Sequence, residues 1–265
     1  MLLAIDVGNT ETKVGFFGEP ALGAAALEKT WRATTARQRT ADEFGVLFRA
    51  FFRGAEISPH AVRAIVISSV VPQNDRALSE ACRTYFGPEP VFFSAASQQL
   101  MEVTTERPKE LGSDLLAAAI GARELYGTPL VAVGFGTATT FGAVSRDGEF
   151  LGAAIAPGIR ISIDALVERT AKLPQVELEA PNGPLGRDTV SALQAGIIFG
   201  FVGQTEGILT RIRAAIGEDA RVIATGGLAE IVARHTAAID AVEPHLVLLG
   251  LRRFYEAQVS PARRA

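Results

Sequence analysis

The chain has little of the chemistry that disulfides and metal clusters require. Its 265 residues include one cysteine, Cys82, and three histidines. A lone cysteine forms no internal disulfide, and no Cys/His spacing matches a zinc site. No histidine motif accompanies Cys82 as the partner of a nucleophile. We therefore interpret Cys82 as a small buried side chain on a helix.

An excess of positive charge is also missing. Lysine and arginine total 26 against 29 acidic residues, for a net charge of −3, whereas a nucleic-acid-binding protein usually shows a basic surplus. No stretch approaches the ~20 apolar residues that a membrane helix needs. The apolar start is short, has no basic region before it and is interrupted by Asp6, unlike a signal peptide. We expect a cytoplasmic protein with no nucleic-acid or membrane partner.

Strand-like and helix-like segments alternate along the chain, in an ordinary globular composition with 48% hydrophobic residues. Strands are predicted at 1–6, 12–17, 64–69, 90–93, 129–133, 139–144, 149–155 and 221–224. Helices are predicted at 40–52, 75–86, 111–126, 161–170, 189–216 and from 228. This alternation indicates an α/β fold.

An internal repeat sets the expected domain organisation. Residues 3–10 align with residues 131–138, and each copy has a strand, a glycine turn and a returning strand. Such self-similarity predicts two like domains. We place them at 1–115 and 116–265, with a ligand cleft between them.

The first glycine turn is Asp6-Val7-Gly8-Asn9-Thr10. Gly8 allows close approach of a ligand to the backbone, and the polar residues and amides after it can donate to phosphate oxygens. Asp6 could hold Mg²⁺ through water, and Lys13 could neutralise phosphate charge. A plain hairpin turn explains the same residues, so both interpretations stand.

Two further glycine turns follow strands. One is Gly134-Phe135-Gly136-Thr137-Ala138-Thr139-Thr140, whose amides and hydroxyls could cradle phosphate. The other is Ala224-Thr225-Gly226-Gly227, which ends a strand and opens a helix, a position suited to an anion or a nucleotide sugar. Neither is a Walker A loop. Three such turns, two of them in repeat register, favour a nucleotide site over unrelated hairpins.

Asp114 lies where a helix is predicted to begin. It could serve as a helix N-cap, or as a general base that takes a proton from a substrate hydroxyl. Its residue type and position do not separate these alternatives. The turn Ala156-Pro157-Gly158 likewise fits either a structural loop or a wall of an acceptor pocket.

Seven motifs in order carry a family resemblance. They are DVGNT (6–10), PKELGSD (108–114), GTATT (136–140), LGAAIAPGI (151–159), TAKLP (170–174), GRDT (186–189) and ATGGLA (224–229). With them the chain resembles the type III pantothenate kinases. These form a branch of the acetate and sugar kinase/actin/heat-shock chaperone superfamily.

The resemblance implies an architecture and an activity. The fold would be two ribonuclease H-like (actin-like) domains with a nucleotide cleft between them. The activity would be ATP-dependent phosphorylation of pantothenate, the first step toward coenzyme A. The resemblance also implies Mg²⁺, a monovalent cation (K⁺ or NH₄⁺), and a homodimer whose interface completes the acceptor site. The glycine-rich segment 189–216 is a plausible close-packing helix for that dimer.

The resemblance also assigns roles to residues. The nucleotide would bind to Asp6, Val7, Gly8, Asn9, Thr10, Lys13, Gly136, Thr137, Thr225, Gly226 and Gly227. Pantothenate would bind to Thr105, Gly112, Ser113, Asp114, Leu115, Gly158 and Thr189. Asp114 matches the catalytic base, and Asp6 would organise Mg²⁺ through water.

This sequence departs from the family pattern at the acceptor and cation sites. Leu115 replaces an arginine that holds the pantothenate carboxylate, Thr105 replaces a tyrosine, and Gly134 replaces an aspartate that helps bind the monovalent cation. Alanine also replaces the second glycine of a Gly-Gly-Ala-Ile motif, at 152–155.

These departures leave alternatives open. The protein could be a pantothenate kinase with a substitute cation from Arg107, Lys109 or Arg160. It could instead phosphorylate a different small alcohol, or a sugar. Finally, it could be a non-catalytic nucleotide-binding homologue that acts as a regulator.

Overall fold

A computed structural model describes residues 1–18, 26–179, 181 and 183–262. The chain divides into two compact units. The first contains residues 1–101, 106–124 and the C-terminal segment from Leu246, and the second contains residues 102–105 and 125–245. A single boundary at 115/116 was expected, whereas the structure assigns most of the helix that begins at Ser113, and the C-terminal segment, to the first unit.

The first unit is built on a five-stranded sheet in the order β3-β2-β1-β4-β5. The strands are β1 (Leu2–Val7), β2 (Glu11–Phe17), β3 (Leu27–Thr34), β4 (Ala64–Ser69) and β5 (Pro90–Phe92). Its helices are α1 (Ala41–Gly54), α2 (Pro72–Phe86), α3 (Ser113–Tyr126) and α7 (Leu246–Ala262). The first three strands pair antiparallel, while β4 and β5 continue the sheet in parallel.

Aromatic side chains form much of the first unit's core. Helix α1 begins at a capping box of Thr40 and Glu43 and turns its phenylalanines toward the sheet. The Phe52 ring lies 5.5 Å from that of Phe16 and 5.1 Å from that of Phe86. The helical spacing of these residues predicted α1 correctly. Cys82 is buried on α2, as expected.

Close packing of α3 against α7 explains the extent of the first unit. A Cβ atom added at Gly121 of α3 would collide with the backbone carbonyl of Leu246, and one at Gly250 would lie 2.7 Å from the carbonyl carbon of Ala117. The two backbones therefore approach through glycines. Because α3 and α7 pack on each other, both belong to this unit; the sequence analysis did not predict α7.

The second unit repeats this topology. Its strands are β6 (Leu130–Phe135), β7 (Ala138–Val144), β8 (Phe150–Pro157), β9 (Arg221–Thr225) and β10 (Ala241–Val242), in the order β10-β9-β6-β7-β8. Its helices are α4 (Ile159–Glu168), α5 (Thr189–Ile216) and α6 (Ala229–Ala233). As in the first unit, a central strand pairs with an antiparallel hairpin partner on one side and a parallel strand on the other. The repeat in the sequence is thus a repeat of structure.

Helix α5 corrects one expectation. Its 28 residues are long and apolar enough, by length and composition alone, to cross a membrane, and its most apolar 18-residue window has a mean hydropathy of 1.2. The expectation that no segment approaches this length and hydropathy is therefore wrong. Only 28% of its most apolar window is buried, although Val202 and Leu209 are part of the second unit's core.

Candidate active site

Asp6 lies near the end of β1, between two charged or polar neighbours. It pairs with Lys13 across β2 and with Ser68 across β4. The side chain is almost fully buried, with 7% of its surface exposed. Its Oδ1 atom is buried and has no hydrogen-bond partner, which is unusual for a buried carboxylate oxygen.

The surroundings of Asp6 raise its pKa to about 7. Burial is the largest cause, and the charge of Asp114 is the second, while Lys13 and a hydrogen bond from Ser68 lower the pKa. An ionised carboxylate here has too little positive charge around it. The site therefore fits a cation at the unpartnered oxygen.

The chemistry of the donors suits Mg²⁺ better than a metal held by protein alone. Among the described residues, no group of three or more His, Cys, Asp and Glu side chains could hold a metal ion. Mg²⁺ usually takes one or two carboxylates, with water and phosphate oxygens completing its shell. Asp6 thus fits the role that the resemblance assigned to it.

The turn after β1 is a tight hairpin with exposed polar residues. The amide of Gly8 donates to the carbonyl of Glu11 at 3.0 Å. Asn9 and Thr10 are exposed, while the Val7 side chain is fully buried in the core. Val7 can therefore contribute only its backbone to a ligand. The hairpin and phosphate-site interpretations are compatible, because the turn leaves its polar side chains facing solvent.

Asp114 stands in the first turn of α3. Its carboxylate accepts a hydrogen bond from the amide of Leu115 at 2.8 Å, so it satisfies a free amide at the helix start. A Cβ atom on Gly112 would lie 2.7 Å from Asp114 Oδ1, so glycine there leaves room for this carboxylate. Burial, the largest effect, raises the pKa of Asp114 above its usual value.

The first unit brings distant residues together. Asp114 is close enough to Asp6 to raise its pKa, and Lys13 lowers the pKa of both. Two acids and one lysine, from β1, β2 and α3, therefore share one electrostatic environment. A raised pKa on a partly buried carboxylate suits a general base.

Sequence reasoning missed Ser68. Its hydroxyl is fully buried and lies 3.0 Å from the hydroxyl of Ser113. Ser113 was predicted to line the pantothenate site, and its hydroxyl also lies 3.3 Å from the carbonyl of Ser69. The Ser113 side chain is thus directed toward β4. A serine in a buried strand gave no signal that distinguished Ser68 from other core positions.

The three cations proposed to substitute for an arginine at Leu115 are all exposed. Leu115 itself is half-buried. Of the candidate substitutes, Arg107 forms an exposed ion pair with Glu110 at 3.3 Å. Lys109 and Arg160 are exposed.

In the second unit, the other glycine turns lie close together. The amide of Gly136 donates to the carbonyl of Ala138 at 3.0 Å, which closes the turn between β6 and β7. A Cβ atom on Gly158 would collide with the carbonyls of Gly136 and Thr137. Gly226 has a φ of +98°, and a Cβ there would collide with the backbone of Phe135. Glycine therefore permits these turns to pack against one another.

The remaining predicted residues have distinct settings in the second unit. Gly134 pairs with Thr140, and a Cβ on Gly134 would lie 2.7 Å from Thr140 Oγ1. Thr225 is buried beside Gly226 and the exposed Gly227. The Thr105 hydroxyl is buried without a hydrogen-bond partner. Thr189 is exposed and begins α5, after the N-cap Asp188.

The fold and the site define a class. Two α/β units share one topology, and each carries a glycine turn between its first two antiparallel strands. Solved structures with this fold include a Baf family protein from Campylobacter jejuni, with a TM-score of 0.61 and 18% identity over 97% of this chain and 99% of that one. Another is the activator of 2-hydroxyisocaproyl-CoA dehydratase from Clostridium difficile with bound ADPNP, with a TM-score of 0.60 and 12% identity over 99% and 97%. The protein has the two-domain actin-like fold.

Sequence comparison identifies the family. The family model for type III pantothenate kinase matches residues 2–211. The type III pantothenate kinase of Moorella thermoacetica is 45% identical over 97% of this chain and 99% of its own length. That of Roseiflexus sp. is 44% identical over 97% and 98%. The chain belongs to the type III pantothenate kinase family.

Proposed function

We propose that this protein transfers the γ-phosphoryl group of ATP to the hydroxyl of pantothenate, the first step of coenzyme A biosynthesis. The observation that carries the proposal is the grouping of Asp6, Lys13 and Asp114 in the first unit of a chain that belongs to this family. Phosphoryl transfer depends mainly on positioning and charge neutralisation, and these residues provide both.

Asp114 is the general base in this proposal. Its raised pKa strengthens it as a proton acceptor, and it takes the proton of the acceptor hydroxyl as that oxygen attacks the γ-phosphorus. Lys13 offsets the charge of the phosphates. The turn at 6–10 and the turns at Gly136-Thr137 and Thr225-Gly226-Gly227 hold the nucleotide. Asp6 would hold Mg²⁺ through water, and the bound ion would supply positive charge that offsets the charge of the phosphates.

The acceptor site differs from the family pattern at Leu115 and Thr105. Losing a charge-assisted contact to a carboxylate costs about 1.5–3 kcal/mol unless another cation replaces it. Lys109 and Arg160 are exposed and Arg107 is paired with Glu110, so the first two are the better candidates. Gly112, Ser113, Gly158 and Thr189 complete the proposed acceptor site. A kinase of another small alcohol and a non-catalytic regulator are the alternatives.

We also propose a cytoplasmic homodimer with a small-molecule substrate and no membrane or nucleic-acid partner. The exposed apolar side chains of the second unit support the dimer.

The direct test is ADP release in the presence of ATP, Mg²⁺ and pantothenate, compared with a panel of other small alcohols and sugars. Pantothenate-dependent release supports the proposal, and release with another acceptor alone supports the alternative kinase. Calorimetry with ATP and then pantothenate tests the third possibility, a non-catalytic regulator. Nucleotide binding without turnover on any acceptor would indicate the regulator.

Replacing the proposed base gives a sharper result. Asp114→Asn should lower kcat by about 10²–10⁴-fold, while ATP binding measured by calorimetry stays within a few-fold of wild type. Asp147→Asn is the matched control, because Asp147 is exposed in the hairpin turn between β7 and β8. Unchanged turnover in Asp114→Asn would exclude this residue as the base.

A further inference from the structure

A chain of buried hydroxyl groups joins the two acidic residues of the site. Asp6 and Ser68 are directly opposite in the parallel pairing of β1 with β4, which places the Ser68 hydroxyl beside the Asp6 carboxyl group, whose pKa it lowers as a hydrogen-bond donor. Ser68 Oγ lies 3.0 Å from Ser113 Oγ. Ser113 is the first residue of α3 and the neighbour of Asp114. The chain therefore runs from the end of β1 to the start of the helix that bears the proposed base.

The number of hydroxyl protons determines the direction of this chain. Each serine has one proton to donate. When Asp6 is ionised it can only accept, so the Ser68 proton goes to Asp6 and the Ser113 proton goes to Ser68. The Ser69 carbonyl, at 3.3 Å from Ser113 Oγ, is the alternative acceptor for Ser113. When Ser68 donates to Asp6, the contact between the serines requires Ser113 to donate to Ser68; when Ser113 donates to the Ser69 carbonyl instead, Ser68 donates to Ser113 and Asp6 loses this donor.

Burial strengthens the hydrogen bonds of this chain. Ser68 is 0% exposed and Ser113 is 7% exposed, so water has little access to compete for either hydroxyl. Hydrogen bonds are stronger in such surroundings, and a lost partner is correspondingly costly. Of the two Asp6 carboxylate oxygens, Oδ1 stays without a partner. The Ser68 bond thus fixes the carboxyl group while leaving that oxygen for a cation.

We propose that Ser68 and Ser113 are positioning residues that hold the metal-binding carboxylate of Asp6 and the helix turn bearing Asp114 in a fixed relation. This inference rests on the proposed function, since it assumes that Asp6 and Asp114 act on the same phosphoryl transfer. Neither serine touches the reacting atoms. Each acts through the acid to which it is linked.

Substitution of Ser68 is the first test. Ser68→Ala should lower kcat about 10-fold while the KM for pantothenate changes less than about threefold, because the geometry of the transition state is affected more than ground-state binding. Ser113→Ala should lower kcat by a similar factor. Ser113→Thr keeps a hydroxyl and should recover kcat to within about threefold of wild type.

The double variant Ser68→Ala/Ser113→Ala shows whether the two serines act through one shared hydrogen bond or independently. If the serines act through one shared hydrogen bond, Ser68→Ala combined with Ser113→Ala should be no worse than the more impaired single variant. Losses that multiply would overturn the proposal. Ser69→Ala is the matched control, because this neighbouring hydroxyl bonds Asp75 and the amide of Val71 at the start of α2 instead. It should keep wild-type kcat.

Metal binding provides a readout that does not depend on turnover. Mn²⁺ titration in the presence of ADP, followed by electron paramagnetic resonance, should show an affinity several-fold weaker in Ser68→Ala and unchanged in Ser69→Ala. Weakened Mn²⁺ binding would support the link even if wild type fails to phosphorylate pantothenate. Wild-type kcat and Mn²⁺ affinity in Ser68→Ala would overturn the link and leave the proposed function standing. Thermal unfolding checks that each variant is folded.

Discussion

At the scale of single residues, the carboxylate of Asp6, which the proposed activity requires, lowers the stability of the folded protein when it is ionised. Its pKa of about 7 in the folded protein exceeds the ordinary value of 3.8, so the folded state favours the protonated form. Ionising Asp6 therefore costs stability as the pH rises between these values. Asp6→Asn removes this cost, and we expect metal-free Asp6→Asn to exceed wild type in unfolding free energy at pH 8 by on the order of 4 kcal/mol. Chemical denaturation in EDTA measures the difference.

The pH dependence of this stability difference shows whether ionisation of Asp6 causes it. The advantage of Asp6→Asn should shrink as the pH falls through 7 and vanish near 4, where the carboxyl is protonated in both states. The same substitution should abolish pantothenate-dependent ADP release. Asp147→Asn, in an exposed turn, should change neither quantity. Equal stability of Asp6→Asn and wild type at pH 8 would contradict the assigned environment.

Gly134 predicts how the enzyme responds to monovalent cations. Glycine offers no side-chain oxygen at the position where the family pattern has an aspartate, and its Cβ site faces Thr140 Oγ1 at 2.7 Å. We expect ADP release to be the same in K⁺, NH₄⁺ and Na⁺ at matched ionic strength. Strong activation by K⁺ over Na⁺ would show that another group supplies the cation site.

At the scale of the elements, the turn after β9 depends on one glycine. Gly226 has a φ of +98°, and its Cβ position collides with the Phe135 backbone, whereas a Cβ on Gly227 meets nothing within 4 Å. Gly226→Ala should therefore cost about 2–4 kcal/mol of unfolding free energy, and Gly227→Ala should cost less than about 1 kcal/mol. Denaturant titration compares the two. Similar losses would mean that the turn relaxes around the added methyl group.

The sequence predicted those elements whose residues carry a local pattern. The β1–β2 hairpin and helix α1 follow from a glycine turn and from phenylalanines at helical spacing, and the repeat of residues 3–10 predicted the repeated topology. Strand β3 was missed because none of its eight residues is fully buried, so it lacks an apolar alternation. Helix α7 was missed because its partner is a distant helix, joined through Gly121 and Gly250.

The sequence identified candidate residues of the site, but not the contacts between them. Asp6, Lys13 and Asp114 were found from turn chemistry and family motifs. Their shared environment depends on where α3 begins relative to the parallel pair of β1 and β4, which no local pattern encodes. Ser68 acquires its role only through that pairing. The hydroxyl chain was therefore outside the reach of sequence reasoning.

At the scale of the whole molecule, exposed apolar side chains indicate where two copies would meet. Six of the nine large hydrophobic residues that the described structure exposes fall between 151 and 190, in the second unit. They are Leu151, Ile155, Ile161, Leu166, Leu185 and Val190. Strand β8, which carries the first two, is an edge strand of its sheet. A concentration of apolar surface at a sheet edge is typical of a protein–protein interface.

We expect the 28.0 kDa chain to sediment at about twice this mass, since burying such a surface favours a symmetric dimer. Ile155→Asp should shift the protein to the monomer, because this side chain is 71% exposed in the single chain and a charge there would be buried at the interface. Val46→Asp is the matched control, with 64% exposure on α1 of the first unit, and should remain dimeric. If the interface completes the acceptor site, Ile155→Asp should also lose ADP release while retaining nucleotide binding. A monomeric wild type, or dissociation by Val46→Asp instead, would contradict this location for the interface.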